Sequence, residues 1–119
     1  MARVLVVDDA AFMRKVVSDA LSGGGHEVIG EASNGAEAIA RYQELQPELT
    51  TLDITMPEMD GLTALKQIIA IDPAARIIMC SALGQEGKVL EAIKAGAKDF
   101  VVKPFKAERV LDAVGKALC

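Results

Sequence analysis

The sequence predicts an α/β fold built on a parallel five-stranded sheet with helices on both faces. Three observations carry this. Short β-rich apolar runs alternate with segments of helical period, four of the five runs are almost uninterruptedly apolar, and no linker or low-complexity tract separates them. Strands that alternate with helices need crossover connections, and these give parallel strands covered on both sides. A strand buried on both faces has no polar side, so its sequence does not alternate. The chain has 119 residues, which suits one domain.

The elements follow in order. "VLVV" at residues 4–7 is the first strand. Met13, Val16, Val17, Ala20 and Leu21 fall on one face of a helix, which "SGGGHE" ends because glycine accommodates the left-handed cap. "EVIGEA" is a second, more polar strand and belongs at a sheet edge. Asn34 and Gly35 introduce a helix carrying Ala38, Ile39, Tyr42 and Leu45, closed by Pro47. "LTTLD" is the third strand despite its two threonines, and "MPEMDG" is a loop. Leu62, Leu65, Ile68 and Ile69 mark the third helix, stopped at Asp72 and Pro73. "RIIMCSA" is the fourth strand. A shorter helix bears Val89, Leu90 and Ile93 and ends around Gly96. "FVVKPF" is the fifth strand, and Val110, Leu111, Val114 and Leu118 mark the last helix.

Composition narrows the function classes. The formal net charge is −4, so generic attraction to nucleic acid or anionic membrane is not expected. No apolar run approaches the ~20 residues of a membrane span, and "MARVLVVDD" meets acid too soon for a signal peptide. Cys80 and Cys119 form neither a disulfide framework nor a metal-ligand spacing. The expected compartment is the reducing cytoplasm, with Cys80 a buried thiol and Cys119 accessible. His26 reads as an exposed residue before the second strand. Met13, Met56 and Met59 read as core or loop filling. "SGGGHE" lacks the Gly-Lys-Ser/Thr ending of a phosphate loop and leads into a strand.

The polar residues are informative by position. Asp8 and Asp9 end the first strand, Asp53 the third, Ser81 the fourth and Lys103 the fifth. Two adjacent carboxylates taken alone read as a solvated turn. Five polar groups at four matching strand ends read as a site, because function in such sheets gathers at the carboxyl edge. Carboxylates with an open side suit Mg²⁺, a hard ion that keeps waters or phosphate oxygens. A carboxylate can also be the nucleophile that forms an aspartyl phosphate. Phosphoryl transfer then needs positioning and charge neutralisation, which Mg²⁺, Lys103, the Ser81 hydroxyl and a nearby backbone N–H can provide.

"VDD", "LDITMPEMDG", "CSA" and "VVKPF" occur in the order and spacing of response-regulator receiver domains of two-component signalling, and the chain resembles that family over residues 1–119, as a single receiver domain. Within it, "DITMPEMDG" and "CSALGQEGKVLEAIKAGAKDFVVKPF" are most similar to the free-standing chemotaxis regulators. The resemblance implies a flavodoxin-like sheet of order 2-1-3-4-5. It implies Asp53 as phosphoacceptor and a Mg²⁺ site of Asp8, Asp9, Asp53 and the Thr55 backbone carbonyl, with Asp9 and Asp53 as direct ligands. Ser81 and Lys103 would contact the phosphoryl group. Ser81 and Phe100 would form the switch, and Pro104 would follow Lys103 through a cis bond. Thr55 and Leu83, at the family's variable positions, offer neither a carboxylate nor an amide to orient water. The implied partners are a histidine kinase of the chemotaxis type, a flagellar motor switch protein and a phosphatase, with the chain a monomer and the face of the fourth helix, fifth strand and fifth helix as the contact surface.

Other readings compete. A phosphatase of the haloacid-dehalogenase type also uses an aspartyl phosphate, but that family shows Asp-x-Asp after its first strand, where this chain has Asp8-Asp9. A phosphorelay intermediate and the receiver of another two-component pathway share every motif quoted. The chain starts with Met and stops after the last helix, which favours a free-standing protein over one trimmed from a longer regulator.

Overall fold

The computed structural model describes residues 2–119. Met1, counted in the expected domain, lies outside the described residues. The order is β1 (Arg3–Val7), α1 (Ala11–Gly23), β2 (Glu27–Ala32), α2 (Gly35–Leu45), β3 (Leu49–Asp53), α3 (Gly61–Ile71), β4 (Ile77–Ser81), α4 (Glu86–Ala95), β5 (Asp99–Val102) and α5 (Ala107–Leu118). The strands form one sheet in the order β2-β1-β3-β4-β5, and every adjacent pair is parallel. The expected fold class and strand order are both observed, with the polar β2 at an edge.

Strand pleating divides the core in two. Leu5, Val7, Leu52, Ile77 and Met79 point to one face, where α2, α3 and α4 cover them with Ala38, Tyr42, Leu65, Ile68 and Val89. Val4, Val6, Leu49, Ile78 and Cys80 point to the other, under α1 and α5, which contribute Val17, Leu21, Val110 and Val114. All five residues of β3 and of β4 are buried. The starts of α2 and α3 are set by short polar side chains. Asn34 caps α2 by accepting from the Glu37 N–H, and Asp60 caps α3 by accepting from the Thr63 N–H. Among the described residues, no helix is long and apolar enough to cross a membrane.

Two details depart from the sequence reading. His26 is half-buried rather than exposed, and its Nδ1 accepts from the Ala2 N–H at 3.0 Å, tying the start of the chain to the α1–β2 loop. In α4 only Val89 and Ala92 are buried. Leu90 and Ile93 are 57% and 39% exposed, so the apolar stripe of this helix is shared between core and surface.

Thr50 is fully buried among apolar neighbours, and its hydroxyl has no hydrogen-bond partner. An unpaired buried hydroxyl carries its desolvation cost without compensation. Thr50→Val should therefore stabilise the protein by about 1 kcal/mol. Thermal denaturation should show a rise of roughly 4 °C. An unchanged or lower melting temperature would count against this account.

Candidate functional site

The carboxyl edge of the sheet collects the polar residues that the sequence places at strand ends. Asp8 follows β1 and Asp53 ends β3, and these neighbouring strands bring the two carboxylates together. Candidate ligand oxygens of Asp8, Asp9 and Asp53 all lie within 4.8 Å of one another. Asp8 and Asp53 are buried, whereas Asp9 is exposed and leaves the cluster open on one side.

Asp8 is held firmly. Its Oδ1 accepts from the Ala10 N–H at 2.9 Å and its Oδ2 from Lys103 Nζ at 2.9 Å. Its carbonyl accepts from Arg14 Nη1 at 2.8 Å, and the same guanidinium reaches Glu31 through Nε at 2.9 Å. Arg14 thus ties the loop after β1 to α1 and β2. Nothing in the local sequence marks this role, because Glu31 is 17 residues away.

Lys103 lies just past β5, and its peptide bond to Pro104 is cis. Its Nζ is 3.3 Å from Asp53 Oδ1 as well as bonded to Asp8. Burial pulls the pKa of this ammonium down, but the Asp8 hydrogen bond and the charges of Asp53 and Asp8 outweigh it and hold it above the usual lysine value. Asp53 shows the opposite balance. Burial and then the Asp8 charge push its pKa up to about 6, against the lowering effect of Lys103. One ammonium does not neutralise three carboxylates, and the excess of negative charge is what a divalent cation would offset. The donor set is all oxygen with an open side, so these residues fit Mg²⁺.

The raised pKa of Asp53 has a stability consequence with a definite sign. The folded state binds this proton more tightly than the unfolded state, so the contribution is fully present below about pH 4 and is lost as pH rises through about 6. At neutral pH the ionised group costs roughly 2 to 3 kcal/mol. In a chelator, the difference in melting temperature between Asp53→Asn and wild type should grow in favour of the variant from pH 4 to pH 7. A difference that is flat across this window would contradict the assignment.

Ser81 ends β4 beside Asp53, since Asp53 pairs with Cys80 in the ladder. It is buried, and it also lines a groove of about 320 Å³ with Leu83, Val89, Leu90, Ile93 and Phe100. Phe100 and Val102 separate this groove from a second, more charged one of about 410 Å³ that includes Lys106, Glu108 and Arg109. Ser81 therefore touches both the acidic edge and the α4–β5 surface. Cys80 is a buried thiol whose pKa burial raises to about 12, whereas Cys119 is exposed.

The loop after β3 is shaped by Gly61. The Gly61 N–H donates to the Ile54 carbonyl at 2.7 Å, and a Cβ on Gly61 would sit 1.9 Å from the Asp53 carbonyl oxygen. Thr55 is exposed two residues past Asp53 and shares its hydroxyl with Gln85 Nε2, while Gln85 Oε1 accepts from the Ala82 N–H. Gln85 is absent from the sequence-based site. Positions 55 and 83 lack an amide, but the fold brings one in from position 85 across a separation of 30 residues.

Comparison with known proteins agrees with this arrangement. Residues 4–115 match the family described as the response regulator receiver domain. The chain is 62% identical over 116 residues to the chemotaxis protein CheY of Bacillus subtilis strain 168, covering 98% of this chain and 97% of that protein. It is 60% identical over 114 residues to CheY of Thermotoga maritima, covering 96% and 95%. Among solved structures, the CheX–CheY–BeF3–Mg complex from Borrelia burgdorferi matches with a TM-score of 0.94 and 40% identity, over 98% of this chain and 89% of that one. CheY-type receivers catalyse nothing beyond their own phosphorylation and dephosphorylation. An acidic triad at the carboxyl edge of a 2-1-3-4-5 sheet, within a full-length match of this strength, makes the chain a member of the response-regulator receiver family, a phosphoaspartate receiver whose cluster is consistent with Mg²⁺-dependent phosphorylation.

Proposed function

We propose that this chain is a single-domain, monomeric, cytoplasmic switch of chemotaxis. Asp53 accepts a phosphoryl group from a chemotaxis-type histidine kinase, and the phosphorylated form changes its affinity for the flagellar motor switch. The observation that carries the phosphoacceptor role is Lys103, whose ammonium reaches both Asp8 and Asp53 at the sheet edge; the chemotaxis role is supported by the 62% identity to the chemotaxis protein CheY of Bacillus subtilis. A cation beside a buried carboxylate is placed to neutralise an equatorial phosphoryl oxygen. In the transfer, an Asp53 carboxylate oxygen forms the bond to phosphorus as the phosphorus–nitrogen bond of the donor histidine breaks.

Both Asp8 oxygens are already engaged, by Ala10 and Lys103. That supports Asp9 and Asp53 as direct Mg²⁺ ligands, with the Thr55 backbone carbonyl as a third and Asp8 as the residue that orients the set. When bound, Mg²⁺ supplies charge neutralisation at the acceptor. Ser81 and Lys103 contact the phosphoryl group. Ser81 then moves toward it, and Phe100 takes the space vacated. This re-forms the surface of α4, β5 and α5 where the partner docks, with Pro104 in the loop between the lysine and α5. The exposed Leu90 and Ile93 beside Phe100 give that surface an apolar floor. A phosphatase is the third class of partner. The solved CheX–CheY–BeF3–Mg complex from Borrelia burgdorferi supports a partner of this class.

The test is backbone NMR of the protein with and without fluoroberyllate. A population shift moves only as far as the ligand's differential affinity for the two states. Fluoroberyllate should shift resonances at Phe100, Lys106 and Arg109 and tighten binding of a motor-switch peptide, and Ser81→Ala should weaken that coupling. Shifts confined to the acidic edge would favour a phosphorelay intermediate instead.

A further inference from the structure

Gln85 joins the two loops that flank the acidic edge. Its Oε1 accepts from the Ala82 N–H at 2.6 Å, and its Nε2 donates to the Thr55 hydroxyl. Ala82 offers only a donor here, so the amide oxygen must face it, and the NH₂ group is left for Thr55.

The direction of the Ala82 N–H follows from the sheet. Successive residues of a parallel strand bond alternately to the neighbours on either side. The Cys80 carbonyl accepts from the Ile54 N–H on the β3 side, and the Ser81 carbonyl from the Lys103 N–H on the β5 side. Ala82 therefore turns its N–H back toward β3. That strand has ended at Asp53, and the Ile54 carbonyl beyond it is taken by the Gly61 N–H. The Ala82 N–H does not continue the ladder onto the Ile54 carbonyl and bonds Gln85 Oε1 instead.

The geometry points to Gln85 as a latch, a positioning residue that competes with a phosphoryl group on Asp53 for the Ala82 N–H. The inference rests on Asp53 being the phosphoacceptor. When a phosphoryl oxygen takes that N–H, Gln85 Oε1 loses its partner. Gln85 immediately precedes α4, where Glu86, Val89 and Leu90 line the groove beside Phe100. Its release carries the state of the acidic edge to the groove wall by a route separate from Ser81. The latch also sets a threshold, because the phosphoryl group must displace an existing hydrogen bond.

The experiment is a fluoroberyllate titration at saturating Mg²⁺, followed by backbone amide NMR. It compares wild type with Gln85→Ala and with Gln85→Met, which keeps the length of the side chain and removes the amide. Both variants should bind fluoroberyllate about two- to tenfold more tightly, the span of one net hydrogen bond. In the free proteins the Ala82 amide proton should move upfield of its wild-type position, and at saturation the variants and wild type should coincide. Equal or weaker fluoroberyllate binding in both variants, or an Ala82 amide that does not move in the free proteins, would overturn the latch alone. A wild type that binds no fluoroberyllate, or an Asp53→Asn variant that binds it as tightly as wild type, would overturn the phosphoacceptor reading and the latch with it.

Discussion

Asp53→Asn should abolish acyl-phosphate formation. Treatment with a small phosphodonor and Mg²⁺, followed by mass spectrometry, should give one labelled site in the wild type and none in the variant. A carboxamide is not a nucleophile of this kind, and no neighbour can take its place. Asp8 is committed through both oxygens to Ala10 and Lys103. Asp9 is exposed and has no ion pair with Lys103. The variant should remain folded, since the substitution removes a carboxylate whose ionisation opposes folding at neutral pH. Loss of labelling is therefore separable from loss of structure. Full labelling of Asp53→Asn would refute the assignment.

Gly61→Ala should be the most damaging single-methyl substitution near the site. The added carbon would meet the backbone of Asp53 and Ile54, not a side chain that can rotate away. Either the start of α3 must lift from β3 or the end of β3 must move. Overpacking of this kind costs about 3 kcal/mol, or roughly 10 °C in melting temperature for a chain of this size. Phosphorylation should fall too, because the displaced backbone carries the acceptor. Wild-type stability in Gly61→Ala would show that the loop can relax. Wild-type phosphorylation at reduced stability would show that α3, not β3, had moved.

The strands and the acidic edge were legible because the physics that forms them is local. A buried parallel strand must be apolar throughout, so its end shows up as the first polar residue, and Asp8, Asp53, Ser81 and Lys103 are close to those ends. The two threonines of β3 weakened the signal and proved buried. Leu90 and Ile93 illustrate what periodicity leaves open. A stripe of apolar residues marks the face of a helix but does not say how much of that face the sheet will cover. Gln85, Arg14 and His26 were not legible as partners because their contacts span 30, 17 and 24 residues. Gly61 was visible as a turn residue in "MPEMDG", but its approach to the Asp53 carbonyl exists only once α3 packs on β3.

The contact between Lys103 and Asp8 spans 95 residues of chain. Closing so long a loop carries an entropic cost that one ion pair does not offset by itself. The cost is met only when the sheet already holds both ends, so this pair is a late contact in folding and not part of its nucleus. The three carboxylates come from the first 53 residues, and Ser81 and Lys103 from the remainder. A chain with only its first three strands assembled has the acids without their counterion. The acidic edge therefore gains its cation only when β5, at the far edge of the sheet, is in place.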